Sequence, residues 1–344
     1  MMHLDMFDSI DRLLADVCSP AVIRQIEASR DGRALWQTLA DSGFADLLVP
    51  EEAGYPEGAG LGWDSAWQVL FTAGRHAVCV PFGQTLFARA VLAHLGQTVN
   101  AQHCVAMSGF GRVTDQGVLT AQGVPGVGLA DEVLIQAGEM VYHVDRADCV
   151  LEPVGGAGCF DANVVVTKTR PIGSLSPGMV AQGSALVLAV QLAGVAERVL
   201  DMTLGYANDR NQFGKPIGRF QAVQQQITEM AEQVYALRMA SQLGCQTTGW
   251  QPIHLQAALA KSQTSACAQR IATIAHAVHG AIGVTHAYDL QIYTRKLYEW
   301  ARSEGGSQYW AAQLGQAALQ SDGTLLDFVR EDVFRSRRLG LPAA

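Results

Sequence analysis

The chain has no paired cysteine motif, no concentrated basic patch and no phosphate-binding glycine loop, and each absence removes a class of function. Its seven cysteines (Cys18, Cys79, Cys104, Cys149, Cys159, Cys245, Cys267) are odd in number and widely spaced. None falls in a C-x-x-C pair, so neither a disulfide framework nor a zinc cluster is expected, and the thiols read as reduced. A net charge of -8, with Lys and Arg scattered along 344 residues, excludes the footprint of a nucleic-acid binder or of a protein drawn to anionic lipid. The first residues, MMHLDMFDSIDRLL, carry early acids and no basic stretch ahead of an apolar one. A secretory signal is not expected, and a cytoplasmic location is. There is no Walker-type loop, no nucleophile elbow around Ser303 or Ser307, no internal repeat and no low-complexity tract.

What is present is apolar content, 49% of the residues, enough for a large core. Residues 179–196 hold no charge over nearly the length of a membrane span, but Gln182, Ser184 and Gln191 interrupt them and Glu197 and Arg198 follow. A helix buried in protein accounts for this better than a membrane crossing. From residue 4 to about 103 apolar residues recur at helical spacing, giving a helical unit over 1–103. Residues 104–172 turn to short Val-rich runs cut by glycines, which read as the strands of a small sheet. Helical spacing returns over 173–344, with helices expected at about 181–209, 219–247, 252–280, 286–299 and 306–320. Helices, sheet, helices is not the alternation of a doubly wound fold. Ala185, Ala189 and Ala193 on the first of these helices either leave room for a bulky ligand or let helices pack closely.

The most informative stretch is YANDRNQFGKPIGRFQAVQQQITEMA, 206–231. The chain leaves one helix at Arg210, turns through Gly214, Pro216 and Gly218, and enters another near Phe220. A guanidinium beside a helix N-terminus suits an anion such as phosphate. On spacing alone, a plain helical hairpin with a surface arginine is the better reading. His276 and His279 share a helical face with His286 nearby, but no carboxylate or cysteine completes a metal set, and helix packing is the expected role.

The order R-x-Q-F-G-x-P-I-x-x-F-Q-x-V-Q closely resembles the hallmark of the acyl-CoA dehydrogenase family. A second match covers 276–308, ending in Glu304, Gly305, Gly306, Ser307 and Gln308, and a looser one covers 30–95, including Glu51, Glu52 and Gly54 as structural residues. The resemblance implies a mainly helical fold with a small central β domain and a C-terminal four-helix bundle. It implies FAD as cofactor, with Arg210 on the flavin pyrophosphate of a neighbouring subunit and Gln212, Phe213 and Phe220 along its adenosine or dimethylbenzene parts. Gly280 and Gly283 would let backbone approach the adenine end, and Gly306 and Gln308 would also meet the cofactor. Glu304 corresponds to the family's catalytic base, which removes the α-proton of an acyl-CoA thioester, and Gly305 would let the thioester pass close to backbone. Residues 175–196 hold no Asp or Glu, so the alternative position used by some members is empty of a base.

The match thins in the middle. The family's T-E-x-x-x-G-S and W-I-T/S-N stretches, which wall the flavin ring, are missing, and 104–172 contains no tryptophan. Shortened relatives of this kind occur as one half of α2β2 assemblies that degrade steroid and other bulky acyl-CoA esters. The resemblance therefore implies an acyl-CoA dehydrogenase that passes electrons to an electron-transfer flavoprotein, as a homo-oligomer or with a related subunit. A non-catalytic FAD-binding or scaffold subunit is the alternative, and an oxidase that uses oxygen a third possibility.

Overall fold

The computed structural model describes residues 2–50, 59–98 and 100–334. Glu51, Glu52 and Gly54 lie outside the described residues. Five helices come first: α1 (Met2–Val17), α2 (Pro20–Ser29), α3 (Arg33–Asp41), α4 (Trp63–Arg75) and α5 (Phe82–His94). Apolar residues at spacings of three and four bury Ile23 and Ile26 on α2 and Leu35 and Leu39 on α3. Their packing encloses a buried ion pair in which Arg89 donates to Asp46 at 2.8 Å and to the Ala101 carbonyl at 2.5 Å. An arginine 1% exposed needs those acceptors, because an unpaired charge in the core would be far costlier than a paired one.

Eight strands follow: β1 (Val105–Ser108), β2 (Arg112–Val113), β3 (Leu119–Val124), β4 (Glu132–Ala137), β5 (Met140–Asp145), β6 (Val150–Pro153), β7 (Ala162–Val166) and β8 (Gly173–Ser174). The sequence suggested one small sheet, whereas the chain forms two four-stranded sheets, ordered β1-β4-β5-β8 and β2-β3-β7-β6. The change of sheet falls at Gly109–Gly111. There Gly109 sits so close to Ala181 that a Cβ would lie 2.1 Å from its backbone nitrogen, and the Gly111 N–H donates to the Gln136 carbonyl. Strand β7 alternates buried and half-buried residues, the mark of a strand with one face in the core.

The chain then returns to helices: α6 (Met179–Asp209), the tight hairpin β9 (Asn211–Gln212) and β10 (Lys215–Pro216), α7 (Gln221–Gly244), α8 (His254–His279), α9 (Leu290–Arg302) and α10 (Ser307–Gln320). Helix α6 is long and apolar enough to cross a membrane, yet 89% of its most apolar window is buried inside the protein. Ala185, Ala189 and Ala193 are fully buried, so these small residues serve close packing. It approaches α4 closely, where a Cβ on Gly194 would stand 2.0 Å from the Phe71 carbonyl and one on Gly74 would stand 2.2 Å from that of Gln191. Helices α6 to α9 pack as a bundle, with α10 laid against α8. The molecule is thus mainly helical, with a small β region between two helical groups.

Candidate active site

Helix α9 is strongly one-sided: Leu290, Tyr293, Leu297 and Trp300 are buried while Arg302 reaches solvent. It is anchored to the N-terminal helices through Arg295, which donates to Glu27 at 2.7 Å and to the Ala157 carbonyl at 2.5 Å. After Ser303 the chain reverses through two successive left-handed residues, Glu304 (φ 53°) and Gly305 (φ 82°), and Gly306 resumes extended backbone as the cap of α10. Glycine is required at 305, where the positive φ is joined by crowding: a Cβ would lie 2.7 Å from the Trp310 indole nitrogen. At Gly306 neither condition holds. A left-handed glutamate costs about 1–2 kcal/mol, so the position is held by other contacts. The buried Trp310 donates its indole N–H to the Glu304 carbonyl at 3.0 Å.

The Glu304 side chain is 5% exposed. Its Oε2 accepts the Gly109 N–H at 2.9 Å, and the Ser108 hydroxyl is its second hydrogen-bond partner, both at the end of β1. Loss of hydration pushes this carboxyl up to about 7, against the pull of those two hydrogen bonds and of Lys261. Lys261 on α8 is fully buried and donates to the Trp300 carbonyl. Burial, opposed by the Glu304 charge, brings its ammonium down to about 7. Asp161, just before β7, is a half-buried carboxyl held above its ordinary range by desolvation. It accepts from the Gly126 N–H at 2.9 Å and the Ser303 hydroxyl at 3.3 Å.

Glu304 and Gly305 line a cavity of about 910 Å³ between the β3 sheet and the end of α9. Phe110, Thr120, Gln122, Asp161, Tyr298 and Arg302 form much of the remaining wall. Gly123 and Gly156 also line it, and a Cβ at either would meet nothing within 4 Å. Gly306 and Gln308 lie in an adjoining groove of about 550 Å³ among α8, α9 and α10, with Tyr298 and Arg302 shared by both spaces.

The remaining residues singled out in the sequence lie apart from both spaces. Arg210 and Gln212 are exposed on the β9–β10 hairpin, and Phe213 at its tip is 92% exposed. Lys215 lies over the Phe220 ring, 4.3 Å from its centre, and Phe213 meets the same ring edge-on. Gly280 has a positive φ and open surroundings. Gly283 instead serves packing, since a Cβ there would come within 3.1 Å of both His279 and Leu290. His276 meets the Thr294 hydroxyl at 3.0 Å, and His279 stacks on Tyr206.

Sequence reading missed Ser108, Gly109, Asp161, Trp310 and Lys261. The first three come from the β region, far from Glu304 along the chain. Lys261 did leave a trace, as the lone charge in the run QAALAKSQTSA.

Fold and site together define an α-helical protein with an inserted pair of small sheets, whose cleft is closed by a buried carboxylate on a left-handed turn between two helices. A family model described as "Acyl-CoA dehydrogenase, C-terminal domain" matches residues 181–318. The chain is 29% identical over 301 residues to an acyl-CoA dehydrogenase, IpdE2, of Mycolicibacterium smegmatis, covering 87% of this chain and 93% of that one. Among solved structures it superposes on a chain of the ChsE4–ChsE5 complex from Mycobacterium tuberculosis with a TM-score of 0.81 at 22% identity, covering 93% of this chain and 98% of the other. Butyryl-CoA dehydrogenase from Megasphaera elsdenii gives 0.76 at 18% identity, over 92% and 98% of the two chains. Residues 181–318 thus form an acyl-CoA dehydrogenase C-terminal domain, and over most of its length the chain is similar to proteins of that name and shares their fold.

Proposed function

We propose that the protein is an FAD-dependent acyl-CoA dehydrogenase in which Glu304 removes the α-proton of an acyl-CoA thioester. The observation that carries this reading is the placement of a buried carboxylate, poised near neutrality, in the wall of the 910 Å³ cavity. A volume at the upper end of the range for ligand sites suits a flat cofactor ring and an acyl group together. The fit to the flavin ring rests on the glycine-lined wall: Gly123 and Gly156 leave open the space their side chains would take. FAD, when bound, supplies the two-electron acceptor for the β-hydrogen.

The chain's own residues do the rest. Ionised Glu304 accepts the α-proton and becomes a neutral acid, the form its buried setting favours. Its backbone N–H, which has no acceptor among the described residues, is free to donate to the thioester carbonyl and to stabilise the enolate charge that develops. The acyl group enters a space walled by Phe110 and Tyr298 and by polar groups.

Arg210, Gln212, Phe213 and Phe220 hold the phosphate and adenosine end of FAD for a neighbouring subunit's cavity, since they lie outside the cavity of their own chain. The site is then shared between copies or with a related subunit in a cytoplasmic assembly, and reducing equivalents leave to an electron-transfer flavoprotein. Glu304→Gln tests the reading: dehydrogenation of CoA thioesters is lost while flavin content is unchanged, and normal turnover in the variant refutes it. Protein that is colourless and inactive until a second subunit is added favours the non-catalytic reading, and peroxide formed under air favours oxygen as acceptor.

A further inference from the structure

A helix that ended in the ordinary way would let the Glu304 N–H bond the Trp300 carbonyl, four residues back. Ser303, extended at ψ 146°, turns that donor away from the helix axis, and the Trp300 carbonyl is taken by the Lys261 ammonium from α8. The next residue of α8, Ser262, donates to the Ser307 carbonyl at 3.3 Å, beyond the turn. Neighbouring side chains of one rigid helix therefore grip both flanks of the segment that carries the carboxylate. Lys261 is 0% exposed, and a cation so placed needs a compensating charge nearby. Glu304 is the group that acts on it.

We propose that Lys261 is a positioning residue for Glu304: its buried ammonium caps the Trp300 carbonyl that the turned-away Glu304 N–H leaves open, and lowers the energy of the ionised carboxylate across the turn. The inference rests on the reading of Glu304 as the base. Glu304 is faced by Lys261 from α8, by Asp161 from the segment before β7 and by Tyr309 from α10, while the exposed Arg112 and Arg302 share its cavity. Of these, Asp161 opposes ionisation and Lys261 favours it. Trp310 completes the arrangement by holding the Glu304 carbonyl, which fixes the peptide that follows the carboxylate.

The test is a titration that needs no turnover. Protein labelled with 13C at glutamate carboxyls is followed by NMR from about pH 5 to about pH 9 without thioester, and Glu304→Gln assigns the signal. Lys261→Gln keeps a donor for the Trp300 carbonyl and removes the charge, while Lys261→Met removes both. The Glu304 midpoint is expected to rise by about one pH unit in each variant, in the range an opposite charge close to a carboxylate produces. The acid limb of kcat/KM should move with it.

An unmoved midpoint in a folded Lys261→Gln protein overturns the proposal, as does a change confined to Lys261→Met, which would make the role one of packing alone. Should neither variant fold, linkage supplies the same number from the other side. In Glu304→Gln, the Lys261 ammonium followed by 15N NMR must titrate lower by the amount its charge lowers Glu304, and an unchanged Lys261 midpoint overturns the proposal. A coupling found in a protein that dehydrogenates no thioester refutes the proposed function and leaves the pair standing. Glu304-dependent turnover without coupling does the reverse.

Discussion

Replacing Glu304 with Gln should make the protein more stable in alkaline solution and leave it unchanged in mild acid. The substitution keeps the side chain's shape and an oxygen for the Gly109 N–H, and removes the charge. In the folded chain the carboxyl is lifted from 4.5 to about 7, chiefly by burial. Between those values the native state binds the proton more tightly than the unfolded chain does, so stability falls as pH rises through the window and stays lowered above it. The displacement corresponds to about 3 kcal/mol when the group is fully ionised. Lys261 works in the opposite window: its ammonium is brought from 10.5 to about 7, so its own cost is present below about pH 7 and fades as pH rises toward its unfolded value. At about pH 8 it is mostly neutral, and losing the Glu304 charge trims the gain only slightly. Urea unfolding of both proteins, followed by circular dichroism at about pH 4 and about pH 8, should show near-coincident midpoints at the lower pH, which lies below the unfolded value of the carboxyl. At the higher pH the variant should be more stable by about 1–3 kcal/mol. Parallel pH profiles for the two proteins would refute the claim that a buried, ionisable carboxyl sits at this turn.

The two glycines after Glu304 should part company. Gly305→Ala forces a side chain onto a left-handed residue against Trp310 and should cost about 1–3 kcal/mol in unfolding experiments, whereas Gly306→Ala should cost no more than about 1 kcal/mol, the loss of a helix-cap preference. Asp46→Asn leaves Arg89 charged and buried without its carboxylate, and chemical denaturation should register a loss of about 3–5 kcal/mol. Arg210→Ala should lower the flavin retained by the assembled protein on gel filtration, read from the flavin-to-protein absorbance ratio, without moving the Glu304 titration midpoint. Retention equal to wild type would remove the hairpin from the cofactor site.

The helical part of the fold was legible because each helix there carries its pattern within its own sequence. Expected spans of 181–209 and 306–320 became Met179–Asp209 and Ser307–Gln320. The start of α9 was less legible: 286 was expected and Leu290 found, because residues 280–284 form a short tight turn of helix before it. The two sheets were not separable in sequence, since strands of four to six residues with the same Val-rich texture serve both, and the switch at Gly109–Gly111 is decided by contact with α6 and β4. The charge-free stretch 179–196 illustrates the opposite limit. Composition leaves open whether lipid or protein surrounds such a helix, and the answer lies in the glycine-lined crossing with α4.

The candidate site was legible as a position on the chain and not as an environment. Glu304 and its two glycines could be read from the chain, but what perturbs the carboxyl comes from Gly109, Lys261 and Asp161, residues with no neighbour relation in sequence. The hairpin shows the same limit from the other side. Its two-residue turn, Phe213–Gly214, requires positive φ at both positions, and phenylalanine is a poor choice there when Asn or Gly would do so without strain. It also holds a large apolar ring 92% in solvent. Strain and exposure together have no use in an isolated chain. Both become reasonable when the ring is covered by something outside it, and a second subunit bringing a cofactor beside Arg210 is such a cover. The physical oddity of one residue thus argues for assembly independently of the incomplete middle region, where the motifs that would wall a flavin ring are missing.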